Sequence, residues 1–211
     1  MNSYQPVVSD EYQPVVTQDV LDLIASKSDE QRANRQMSTE VVDALKACGF
    51  YRMMLPKKWN GLEARPQEFF REQIRIAEAD MSTAWASGII AIHAFQVAMM
   101  SEQAQEEVYK DDPNTLISSS YNPVGAKAEA CESGFMLSGR WGWSSGSGHC
   151  TWALLGGVVP GDGYRTFLVP RTQYVIEDTW HVMGLQGTGS NDVVIEEPIF
   201  VPLHRTHHQM D

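Results

Sequence analysis

The chain has 211 residues, 43% of them hydrophobic and 20% charged, enough for one or two domains with a proper core. Its 27 acidic and 16 basic side chains leave a formal charge of -11, which argues against nucleic acid or an anionic membrane surface as the main partner. No apolar run is long enough to span a bilayer, and the N-terminus lacks the basic and apolar segments of a signal peptide. Cys48, Cys131 and Cys150 are widely spaced and odd in number, so they form neither a disulfide framework nor a zinc motif, which fits a reducing cytoplasm.

In chain order, residues 1–16 read as an arm carrying a short duplication, Tyr4-Gln-Pro-Val-Val and Tyr12-Gln-Pro-Val-Val. Thr17 is placed to cap a first helix with Val20, Leu21, Leu23 and Ile24 as its apolar stripe. Ser38 caps a second, with Val41, Val42, Leu45 and Cys48 inward and Gly49 as its stop. A turn at Trp59-Asn60-Gly61 leads to a third helix from Pro66, carrying Phe69, Phe70, Ile74 and Ile76. Asp80 or Ser82 then opens a helix to about Met100 that is apolar nearly all round, the signature of a central element. A short helix from Ser101 ends before Pro113.

Beyond Pro113 the pattern changes to strands, at 115–119, 134–143, 151–159, 164–169 and 193–200, punctuated by Gly and Pro. The order predicts an α+β protein: a helical domain over 17–114, a β-domain over 115–203, and a linker from 204 to 211. A cleft is expected where the two domains meet.

The stretch 139–150, Gly-Arg-Trp-Gly-Trp-Ser-Ser-Gly-Ser-Gly-His-Cys, is the densest in chemistry. Trp141 and Trp143 stand two apart, which in an extended strand puts both side chains on one face. The hydroxyl and glycine residues that follow let a planar, polar-edged ligand approach the backbone. The plainer reading is a hairpin corner with two core tryptophans. On the apolar helix, Trp85 and His93 are eight apart, roughly 80° around the axis, so they can line adjacent parts of one pocket. His93 reads equally as a core histidine bonded to a backbone carbonyl. His149, Cys150 and His181 lack metal-ligand companions, and no metal site is expected; His204, His207 and His208 fall in the linker. The Gly187-Thr188-Gly189-Ser190 segment reads as a tight turn, since no strand–glycine–helix context supports a phosphate cradle.

Three motifs in order, within a stretch from about Thr17 to Leu203, resemble the acyl-CoA dehydrogenase superfamily: Ser119-Ser-Tyr-Asn-Pro123, Trp143-Ser-Ser-Gly146 and Gly184-Leu-Gln-Gly-Thr-Gly-Ser190. The resemblance implies an N-terminal helical domain, a β-barrel-like middle domain and a C-terminal helical bundle, the last absent from this sequence. Tyr121-Asn122-Pro123 and the short loop after it lack the Thr-Glu-Pro and Gly-Ser-Asp elements of the dehydrogenases. Gly-Arg-Trp-x-x-Ser-Ser-Gly is instead similar to the oxygenase components of two-component flavin-dependent monooxygenases.

That branch implies reduced flavin (FMNH2 or FADH2) from a separate reductase, O2, a phenolic substrate and a homotetramer. It implies flavin contacts from Trp85, Ser119, Ser120, Trp143, Ser144 and Ser145. His93, Ser119 and Ser145 would be catalytic: His93 orienting or activating the phenol, Ser145 bonding the ring nitrogen beside the oxygen-carrying carbon. The alternatives are an acyl-CoA dehydrogenase, or a flavin-binding fragment without chemistry.

Overall fold

The structure is a computed structural model and describes residues 12–208. The duplication's first copy, most of the expected arm and the last three residues of the expected linker lie outside the described residues. Five helices come first: α1 (Gln18–Asn34), α2 (Thr39–Cys48), α3 (Pro66–Ala79), α4 (Met81–Ala98) and α5 (Glu102–Tyr109). Eight strands follow: β1 (Ile117–Ser120), β2 (Ala126–Cys131), β3 (Gly134–Ser144), β4 (Trp152–Val159), β5 (Gly163–Pro170), β6 (Val175–Glu177), β7 (Asn191–Pro202) and β8 (Thr206–His208).

The helix ends obey their local chemistry. The Ser38 hydroxyl accepts from the Val41 amide, and Gly49 closes α2 in the left-handed region. The Asp80 carboxylate accepts from the Thr83 amide, fixing the start of α4. Thr17 occupies the N-cap of α1 but makes no side-chain cap bond.

The strands form two four-stranded sheets, ordered β1-β4-β5-β8 and β2-β3-β7-β6. They face each other without closing, so the expected barrel is an open sandwich. All pairings are antiparallel except β1 with β4. Side-chain alternation divides β4 and β5 between two cores. Ala153, Leu155, Phe167 and Val169 point into the sandwich with Trp141, Val193 and Val201. Leu154 and Leu168 point the other way, onto Ala94 and Val97 of α4. The molecule is therefore layered as helices, first sheet, second sheet. Three strands had no clear sequence signal: β2, β6 and β8. Residues 206–208, expected in the linker, pair with β5.

Two expectations fail in instructive ways. Helix α4 is buried along Thr83, Ala84, Ser87, Ile90, Ala91, Ala94 and Val97, but Met81, Trp85, Phe95 and Met99 remain exposed. Its all-round apolarity serves a core on one side and an open wall on the other. Phe70 and Ile74 of α3 are exposed too.

Trp141 and Trp143, expected on one face, are separated. Trp141 is fully buried, its indole N–H donating to the Gly156 carbonyl at 2.7 Å, whereas Trp143 is 73% exposed. The register against β7 slips between Trp141 and Ser144, and Trp143 lies at φ 64°, in the left-handed region. This irregularity breaks the two-residue period and turns the second indole outward.

Among the described residues no helix is long and apolar enough to cross a membrane.

The two indoles should respond oppositely to truncation. Trp141→Ala is expected to cost about 3–5 kcal/mol in denaturant unfolding, by opening a cavity between the sheets. Trp143→Gly should stay within about 1 kcal/mol of the parent, because it relieves left-handed strain while losing little packing. Equal losses would contradict the division of roles.

Candidate active site

Where α4 crosses the ends of β1, β3 and β5, a cleft of about 690 Å³ opens. From α4 come Trp85, Ile89, Ile92, His93, Phe95, Gln96 and Met99; from the β1 end and following turn, Ser119, Ser120, Tyr121 and Asn122; from the other strands, Gly142, Trp143, Ser145, Tyr164 and Thr166. No residue in this lining carries a formal charge at neutral pH, in a chain whose net charge is -11.

Five of the residues predicted to contact flavin therefore come together: Trp85, Ser119, Ser120, Trp143 and Ser145, with His93 beside them. Ser144 does not join them. It is fully buried at the end of β3, paired across to Asn191, and its hydroxyl has no partner. The slip that throws Trp143 outward turns Ser144 inward.

Gly146 is positioned by the same corner, at φ 69°; a Cβ there would stand 2.6 Å from the Ile90 side chain, so the loop needs glycine to meet α4 closely.

His93 is 2% exposed and its Nδ1 lies 2.7 Å from the Ile117 carbonyl. A carbonyl only accepts, so Nδ1 carries the proton and Nε2 keeps its lone pair. Burial pushes the imidazole pKa down to about 4, against the smaller opposing pull of that hydrogen bond. At neutral pH His93 is a neutral acceptor. His93 is bonded through Nδ1 as a core histidine is, and it also lines the cleft.

Ser145 sits in a chain of groups. The Trp85 indole N–H donates to its Oγ at 3.2 Å, and that Oγ lies 2.8 Å from the Ser190 hydroxyl. Ser190 is 2.7 Å from the Thr188 hydroxyl, which donates to the Leu185 carbonyl at 3.0 Å. Ser120 is turned aside, its hydroxyl donating to the Gly142 carbonyl at 2.7 Å. Tyr121 donates to Gln96 Oε1, and its ring meets the His93 ring edge-on at 6.1 Å. Enclosure of the phenol end pushes the Tyr121 pKa up to about 12.

Sequence reasoning missed Tyr121, Gln96, Tyr164 and Thr166 as lining residues, and read Thr188 and Ser190 only as a turn. One signal was present for Gln96: it is a polar residue three positions after His93 in the otherwise apolar second half of its helix.

A planar heterocycle fits this setting. The cleft offers two exposed indoles as walls and hydroxyl and imidazole groups at the edges, the donor and acceptor set that an isoalloxazine ring requires.

The layering of five helices on two sheets, with a cleft between them, is that of the acyl-CoA dehydrogenase fold. No family model matches the chain. It is 42% identical over 190 residues to the "Flavin-dependent monooxygenase, oxygenase subunit HsaA" of Rhodococcus jostii (strain RHA1), covering 88% of this chain and 49% of that protein. It is 36% identical over 191 residues to the "FADH(2)-dependent resorcinol hydroxylase, oxygenase component" of Rhizobium sp. (strain MTP-10005), covering 88% and 46%. The crystal structure of 3-HSA hydroxylase from Rhodococcus sp. RHA1 superposes with a TM-score of 0.89 at 39% identity, over 93% of this chain and 52% of that one. Over most of its length the chain is homologous to oxygenase subunits of flavin-dependent monooxygenases, and it spans about half the length of the curated relatives it matches.

The buried His93 has a measurable signature in stability. Its folded pKa, about 4, lies below the ordinary 6.5, so in that interval the unfolded chain binds the proton that the folded chain refuses. The stability it confers is whole above pH 6.5 and drains away as pH falls toward 4, by up to about 3 kcal/mol. His149, also depressed by burial, adds a slope of the same sign. His93→Gln should flatten the pH dependence of urea unfolding between pH 7 and 4.5; an unchanged slope would place His93 outside the buried, neutral state.

Proposed function

We propose that this chain forms the flavin- and phenol-binding part of the oxygenase component of a two-component aromatic hydroxylase. The observation that carries the reading is the uncharged cleft between α4 and the sheets, walled by Trp85 and Trp143, with a neutral His93 in its lining. The relatives support it: they bear the names of a flavin-dependent monooxygenase and a resorcinol hydroxylase. Tyr121-Asn122-Pro123 and the short loop after it, lacking the Thr-Glu-Pro and Gly-Ser-Asp elements, speak against the acyl-CoA dehydrogenase alternative.

Bound reduced flavin would supply the redox chemistry, splitting O2 so that one oxygen atom enters the phenol ring and the other leaves as water. The chain's own groups do the rest. Trp85 and Trp143 would hold the flavin ring as the aromatic walls of the cleft. Ser119 and the Ser120 backbone meet the ring edge. Ser145, by the family resemblance, would hold the ring nitrogen beside the reacting carbon. His93 Nε2 accepts a hydrogen bond from the phenol hydroxyl and raises electron density on the adjacent ring carbons. With its low pKa, His93 polarises and orients the phenol rather than carrying the proton away.

The name of the Rhizobium relative supports reduced FAD as the flavin to test first, with reduced FMN second. The free cysteines and the family resemblance support a cytoplasmic homotetramer served by a separate reductase.

The test is an anaerobic titration with reduced FAD, followed by oxygen and a panel of simple phenols. Quenching of tryptophan emission and a ring-hydroxylated product are expected. His93→Ala should slow product formation by roughly 100-fold and leave flavin binding near that of the parent. Ser145→Ala should divert reducing equivalents to hydrogen peroxide while phenol still binds. Loss of flavin binding in His93→Ala, or coupling unchanged in Ser145→Ala, would remove these roles.

A further inference from the structure

The chain enters α1 through a clamp on α3, apart from the cleft lining. Glu72 is fully buried, and its two carboxylate oxygens divide the work. Oε1 accepts from the Tyr12 hydroxyl. Oε2 accepts from the Val16 amide at 3.0 Å and from Arg75 at 2.9 Å. The same Arg75 nitrogen donates to the Val16 carbonyl at 2.6 Å. Arg71 lies over the Tyr12 ring at 5.7 Å, and Val16 is fully buried in the helical core.

A buried carboxylate is stable only when it is paired and hydrogen-bonded. If the segment left, Arg75 alone of these partners would remain. The clamp therefore demands a ligand, and what it reads is short. It needs a phenol hydroxyl and, four residues later, the amide and carbonyl of an apolar residue. Pro14 between them favours the extended approach.

That ligand is written twice in the chain. Tyr4-Gln5-Pro6-Val7-Val8 repeats Tyr12-Gln13-Pro14-Val15-Val16 residue for residue, eight positions earlier. Every group that the clamp reads recurs at the same spacing.

We propose that the Glu72–Arg75 clamp is a peptide site with two ligands in one chain, and that Tyr4–Val8 replaces Tyr12–Val16 in it by an eight-residue shift of register. Docking of the first copy leaves residues 9–16 as a loop that returns to Thr17. Loops of this length close readily, at an entropic cost that the Tyr12 register does not bear. Tyr12–Val16 is therefore the favoured ligand, by on the order of 10-fold or more, and Tyr4–Val8 is the reserve. The reserve keeps Glu72 satisfied whenever the Tyr12 segment leaves. A segment from a second copy competes poorly, because its docking costs the freedom of a whole molecule.

Hydrogen exchange read at single amides of the 211-residue chain separates the registers. In the parent, Val16 should be more protected than Val8, by about 10-fold or more. Tyr12→Ala should reverse that order, because the amide on Glu72 is then that of Val8. Tyr12→Phe removes only the donated proton and should narrow the gap by about 10-fold. Thermal melts give a second readout. Tyr4→Ala alone should leave the melting temperature within about 1 °C of the parent. Tyr12→Ala should lower it by about 3–6 °C, and the double substitution by about twice that, well beyond the sum of the two.

If the protection ratio is unmoved in both Tyr12 variants and the melting losses simply add, the clamp takes one ligand and the proposal is overturned. A reversal that grows with chain concentration would place Tyr4–Val8 on a second copy and overturn docking within one chain. If Tyr12→Ala does not fold, the exchange ratio in Tyr12→Phe decides by itself.

Discussion

The seat of α4 on the edge strand β1 holds the rest together. Ile117 packs with Ala94, Val97, Leu154 and Leu168, so one residue joins the helical layer to the first sheet. One turn back along α4, His93 donates to that residue's carbonyl. An edge strand has backbone groups that the sheet leaves unpaired, and here a buried imidazole takes one of them. The hydrogen bond fixes the tautomer, the tautomer aims the lone pair, and the helix that carries His93 also carries Trp85 one wall further along. A change in the crossing of α4 over β1 would alter packing, protonation and cleft width together.

The cleft acts through neutral groups. Charges are spent elsewhere, on surface pairs such as Arg140 with Glu177 and Asp192, and Arg35 with Asp178. Such exposed pairs contribute little to stability. Inside, hydroxyls, indoles and one uncharged imidazole make directional bonds without the desolvation cost of buried ions.

Much of this was legible in the sequence because it rests on local rules. Ser38, Gly49, Asp80 and Pro66 mark helix ends by their own backbone chemistry. The five main strands announce themselves by composition. The strands that were missed are short, or, like β2 with Ala-Lys-Ala-Glu-Ala-Cys, lack β-branched residues and hold their shape through pairing with β3. The site was legible as a set of residue types but not as a geometry. Period-two reasoning cannot foresee a slip in register, so it put Trp141 beside Trp143 and Ser144 in the cleft. The link from Ser145 to Ser190 spans 45 residues of sequence, and nothing local in either segment announces it.

The left-handed backbone at Trp143 also bears on how such a cleft can diversify. Only glycine enters that region freely, with asparagine and aspartate next, so the accessible substitutions at this rim are set by the main chain before any ligand is considered. Drift at position 143 leads from a broad aromatic wall to no wall, or to a short polar one, with few intermediate sizes. A lineage reshaping its substrate range would meet a coarse step here, and would find gradual change on the α4 side, where the residues facing the cleft are ordinary helical positions.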